Sequence, residues 1–136
     1  MRNTFIALLL CTSALAQNVY NPNGSYAGKI QNGPNGTKHF YGADGSYQGR
    51  SHTGPNGTTH YYGANGSYKG HSQSSAGGTT RFYGSNGSYK GSSQSSAGQT
   101  RYYGSNGAYK GSSHTTPGGN THFYGANGSY SGSIRR

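Results

Sequence analysis

The chain has 136 residues, 26 of them glycine and 14 tyrosine, with 11 lysines and arginines, one acidic side chain and a formal net charge of +10. A single cysteine excludes an internal disulfide framework, and a single carboxylate excludes catalysis by paired acids. So few large aliphatics at so high a charge usually mark disorder, but the regular placement of the tyrosines points to a repeat architecture instead.

Residues 1–16 read as a secretory signal peptide: Arg2 is the basic start, Phe5 to Leu10 the apolar run, and Ala14-Leu15-Ala16 the small-x-small cleavage site. The apolar run is far shorter than the roughly 20 residues of a membrane-spanning helix. No transmembrane segment is expected, and a secreted or periplasmic protein starting at Gln17 is. Without Arg2 and Cys11 that mature part, residues 17–136, carries +9 and no thiol.

From Tyr20 onward one unit recurs, in the form Tyr-Gly-Ser-Asn-Gly-Ser-Tyr-Lys-Gly between Tyr83 and Gly91. Its copies begin at Tyr20, Tyr41, Tyr62, Tyr83, Tyr103 and Tyr124, in steps of 21, 21, 21, 20 and 21 residues. Asn-Gly between short aromatic and β-branched runs predicts a β-hairpin. In the first copy Pro22 sets φ for the second position of a type I turn, leaving Gly24 to take a left-handed conformation. That turn pairs Tyr83 with Tyr89 and Phe82 with Lys90. Alternation then places Tyr83, Tyr89, Gly91 and Arg81 on one face and Phe82, Lys90 and Ser92 on the other. The twelve turn-flanking tyrosines, such as Tyr83 and Tyr89, are expected to form the core, with the lysines facing solvent. Gly28, Gly49, Gly70, Gly91, Gly111 and Gly132 mark positions where a strand bends or a neighbouring aromatic ring lies flat over its backbone.

Second reversals follow each hairpin, at Gly33-Pro34-Asn35-Gly36, Gly54-Pro55-Asn56-Gly57, Ser75-Ala76-Gly77-Gly78, Ser96-Ala97-Gly98-Gln99 and Thr116-Pro117-Gly118-Gly119. The copy starting at Tyr83 is one residue short. A deletion within a strand would turn every later side chain to the wrong face, so the loop around Gly98 must absorb it. The expected fold is all-β: six tandem hairpin repeats of about 21 residues. Closure into a shallow barrel or flower-like ring avoids two unpaired edges. Ile30 and Ile134 share a column otherwise filled by serine, which places hairpins one and six side by side.

The unit Tyr-Gly-x-Asn-Gly-x-Tyr-x-Gly, followed by a turn and Thr-x-[His/Arg]-[Phe/Tyr]-Tyr, resembles the β-flower proteins over residues 19–136. The resemblance implies a radial arrangement of hairpins and carries over no catalytic residue.

Function is read from what remains. Asp44 fills the turn position held by asparagine in the other five copies, so it is a turn residue rather than a catalytic acid. His39, His60 and His122 share a repeat column with Arg81 and Arg101, which fits an exposed basic stripe better than a metal site. His52 and His114 share another column, and His71 stands alone. No metal, cofactor or enzymatic activity is expected. Lys69, Lys90 and Lys110 form a column beside Phe82, Tyr102 and Phe123, and with Arg81 and Arg101 they make a basic aromatic face. Such a face suits an anionic glycan, an envelope lipid or an extracellular nucleic acid, charge supplying affinity and rings supplying stacking. The alternative is an envelope or extracellular scaffold, its lysines serving solubility.

Overall fold

The computed structural model describes residues 16–136. Residues 1–15 of the expected signal peptide lie outside the described residues. Six hairpins follow one another: β1 (Gln17–Tyr20) with β2 (Tyr26–Asn32), β3 (Thr37–Gly42) with β4 (Tyr47–Thr53), and β5 (Thr58–Gly63) with β6 (Tyr68–Ser74). The others are β7 (Thr79–Gly84) with β8 (Tyr89–Ser96), β9 (Gln99–Gly104) with β10 (Tyr109–Thr115), and β11 (Thr121–Gly125) with β12 (Tyr130–Arg135). All pairings are antiparallel, and β1 pairs with β12 to close the barrel, Val19 standing opposite Ile134.

Each hairpin turns for the reason its sequence gives. In the fourth, the Gly87 N–H donates to the Gly84 carbonyl at 2.9 Å, and the Gly84 N–H donates to the Ser88 carbonyl at 2.8 Å. Gly87 has φ 83° and Gly24 has φ 84°, the left-handed conformation that follows a type I turn in a three-residue loop. The Asn86 side chain accepts the Ser88 backbone N–H at 3.0 Å, an Asx turn that explains the asparagine. Asp44 does the same for Ser46 at 2.9 Å.

Tyr83 pairs with Tyr89 as expected, but Phe82 pairs with Gly91 rather than Lys90. Lys90 is the extra residue of a β-bulge, so beyond it the faces change: Gly91 joins Phe82, and Ser92 joins Tyr83. Gly91 has φ 139°, and a Cβ there would run into the Tyr103 carbonyl oxygen. The equivalent glycines in the other five hairpins have φ between 131° and 148°. Close approach of the neighbouring strand's backbone, rather than an overlying aromatic ring, makes glycine necessary here.

The bulge accompanies a larger correction: the turn-flanking tyrosines are not the core. Tyr89 is 41% exposed and Tyr109 42%. In every hairpin the two tyrosines pack against each other on the outer wall, ring centroids 5.6–6.1 Å apart and edge-on or tilted. The inner ring is the neighbouring column, Val19, Phe40, Tyr61, Phe82, Tyr102 and Phe123. Below it lies the column containing Ser51, Ser72, Ser93 and Ser113, all buried, and below that a threonine column with Thr100 and Thr121 buried. Ile30 and Ile134 interrupt the serine column and pack with Phe123, Val19 and Phe40 in an apolar seam where the ring closes.

Register explains how twelve strands close. Phe40 faces Gly49, and Gly49 faces Gly63, two residues beyond Tyr61, the counterpart of Phe40. Each hairpin advances the stagger by two residues, reaching twelve around twelve strands, a geometry that tilts strands by roughly 35–45°. The short fourth repeat keeps phase as expected: Ser96 pairs with Gln99, and Ala97 (φ 50°) and Gly98 (φ 81°) make a two-residue reversal. Among the described residues no helix is long and apolar enough to cross a membrane.

Candidate anion-binding mouth of the barrel

The lysines occupy the bulges. Alternation sets Lys90 opposite Tyr89, on the same side as Phe82, and as the extra residue of its strand it lies over the neighbouring strand. Its Cε sits 2.8 Å from where a Cβ on Gly84 would project. Lys69 lies over Gly63 and Lys110 over Gly104 in the same way, each at 2.9 Å. All three lysines are exposed at the hairpin end of the barrel. The same bulge position holds Ala27, Gln48 and Ser131 in the other hairpins, so the cationic rim covers the arc of hairpins three to five.

Within that arc Lys69 and Lys90 border a cleft of about 190 Å³ lined by Tyr61, Phe82, Tyr102, Gly84 and Gly91 and reached also by His71, Tyr83, Ser92 and Tyr103. The two tyrosine hydroxyls are engaged below, Tyr61 Oη with Ser72 Oγ at 3.0 Å and Tyr102 Oη with Ser113 Oγ at 2.9 Å. Burial pushes the Tyr61 phenol up to about 12, against the opposing pull of its hydrogen bonds to Ser72 and Thr59. Tyr61 therefore stays neutral at physiological pH and brings no anion to the cleft.

The expected basic aromatic face thus divides in two. Lys69, Lys90, Phe82 and Tyr102 come together at the cleft, and Lys110 occupies the next bulge. Phe123 belongs to the apolar seam and is outside the cleft lining. Arg81 and Arg101 alternate onto the opposite, outer wall, where Arg81 stands between Gln73 and Ser92. They cannot act with the lysines as one surface.

Sequence reasoning missed the charge and ring pairings of the outer wall. The Arg50 guanidinium lies 4.3 Å from the Tyr62 ring centroid, Arg135 4.9 Å from Tyr20, and the Lys29 ammonium 5.2 Å from Tyr41. For Lys29 and Arg50 the signal is register, because the residue after each bulge glycine faces the first tyrosine of the next repeat, whereas Arg135 stands opposite Asn18 and reaches the Tyr20 ring from two residues further along its strand. Register also places His52, His60 and His71 side by side on three adjacent strands, although the repeat alignment separates them. His71 stacks on Tyr83 at 4.9 Å, with its Nδ1 3.1 Å from the Tyr68 hydroxyl. Among the described residues no three His, Cys, Asp or Glu side chains are grouped to hold a metal ion. The Asp44 carboxyl is held below its usual range by the Ser46 hydroxyl and backbone N–H.

No family model matches this chain, and no curated protein matches it.

Proposed function

We propose that this chain is an exported, non-enzymatic binding protein of the β-flower kind that holds polyanions or acidic glycans at the lysine-bordered mouth of its barrel. One observation carries the reading: Lys69 and Lys90 flank a cleft with aromatic rings, in a protein that has one carboxylate side chain to neutralise its cations. Charge of this kind draws anions from a distance, and rings in a defined cleft add contacts that charge alone does not supply. Closure of the hairpins into a ring supports the β-flower resemblance.

The test is an array of anionic glycans, envelope lipids and nucleic acids probed with mature protein at low and physiological salt. Saturable binding to one class at physiological salt, weakened by K69Q/K90Q/K110Q, supports the proposal. Retention on every polyanion that vanishes with salt is loose electrostatics. Export is tested separately: intact mass of the exported protein should begin at Gln17, and a product retaining Met1 would refute that part.

The competing reading is a scaffold without a specific ligand. It draws support from the closed, edge-free sheet and from tyrosines that engage one another on the outer wall. Absence of saturable binding across the array would favour it.

A further inference from the structure

We infer that the cleft receives one carboxylate-bearing pyranose, the end residue of an acidic glycan. This inference rests on the binding function proposed above and narrows its ligand. Size is the first argument. The cleft is about 190 Å³, whereas pockets for larger organic ligands run to roughly 300–1,000 Å³. One sugar ring matches that volume better than a run of nucleotides or a folded lipid.

Chemistry is the second. Lys69 and Lys90 each present three donors on a compact positive charge, which suits a carboxylate approached from either side. Half-buried Phe82, with what the buried Tyr61 (8% exposed) and Tyr102 (7%) leave open beside it, supplies apolar surface for the C–H face of a pyranose. The third argument concerns what lies beneath. Ser72, Ser93 and Ser113 are buried directly under the aromatic ring, and the Ser93 hydroxyl has no hydrogen-bond partner within the protein. An acyl chain inserted between the rings would meet a layer of hydroxyls, so a lipid tail has no apolar tunnel to enter.

The fourth argument is the extent of the charge. A nucleic-acid strand is held by cations that follow successive phosphates. Here the rim is cationic over three hairpins only, giving way to Ala27, Gln48 and Ser131. That arc grips a chain end better than it tracks a chain.

The experiment uses the mature protein, residues 17–136, titrated by calorimetry at physiological salt with a uronic-acid trisaccharide, the corresponding neutral trisaccharide, inorganic phosphate and decanoate. Saturable uronate binding, at least about tenfold tighter than the neutral sugar, is expected, and K69Q/K90Q should abolish most of that preference. R81Q/R101Q removes the same charge from the outer wall and should leave it intact. Thermal melts show whether either variant still folds, and saturation-transfer NMR should report aromatic contacts to the ring protons of the acidic end residue. Equal binding of uronate and neutral sugar, or equal losses in the two double variants, overturns the inference. If heparin or polyphosphate still binds saturably in that case, the broader function survives. If no polyanion binds, both fall together.

Discussion

Ser93 shows how one missing atom propagates through the repeat. Tyr61 and Tyr102 each place a hydroxyl on the serine below, Ser72 or Ser113, but the fourth hairpin has Phe82 above Ser93, whose Oγ is buried and unpartnered. F82Y should restore the pair and stabilise the fold by about 1 kcal/mol in urea denaturation. The gain should vanish in an S93A background; a loss in F82Y would mean that the site has no room for the hydroxyl. Tyr61 yields a pH prediction. Its phenol is raised from 10.0 to about 12, so between those pH values the unfolded chain loses a proton that the folded one keeps. Its contribution to stability is complete below pH 10 and falls as pH rises, by as much as about 3 kcal/mol. Y61F, less stable at pH 8 for want of its bond to Ser72, should overtake the parent near pH 11 in melts recorded across that range. The wrong tyrosine column was chosen in the sequence because both columns are aromatic. Val19, Phe40, Phe82 and Phe123 all fall in the inner one, and residues lacking a hydroxyl were the sign that this column faces inward.

Hairpins were legible because their turns are chemical. Proline at position 22, asparagine and glycine each perform a backbone task that few other residues can, and the three-residue loop followed from them. The bulge was only half marked: its glycine stood out, but the extra residue before it changes no local propensity and shows only when the partner strand is present. The fourth outer loop gives a test at this level. Ala97 is held at φ 50° because the repeat is one residue short, and a left-handed conformation costs a residue with a Cβ about 1 kcal/mol. A97G should therefore stabilise the protein by about 0.5–1 kcal/mol, while G98A, at φ 81°, should destabilise it. If both substitutions destabilise, the reversal does not have the geometry described.

At the scale of the ring, the serine column's two isoleucines gave closure away in the sequence, since Ile30 and Ile134 meet only if the first hairpin adjoins the sixth. Both are fully buried, at 0% and 1% exposure. Removing Tyr124–Arg136 takes away β12, on which β1 depends through Asn18, Val19 and Tyr20. Hydrogen exchange on that truncation should show protection lost in the first hairpin as much as in the fifth. Loss confined to the fifth would show that the ring opens without cost to its beginning. The cleft was only half legible: the lysine column and its aromatic neighbours could be read from the repeat, and alternation already set Arg81 on the face opposite Lys90, but which of the two faces looks inward could not be read, because it depends on how the ring closes.

The stagger of two residues per hairpin has an evolutionary consequence. Because every hairpin contributes the same advance, a tandem duplication of one 21-residue unit would keep stagger equal to strand number and leave the tilt unchanged. The circumference would grow by about one-sixth, since barrel diameter rises nearly in proportion to the number of strands. Copy number in the gene would then act as a caliper on the opening, and unequal recombination between near-identical repeats could change the size of ligand admitted without altering a single side chain at the rim.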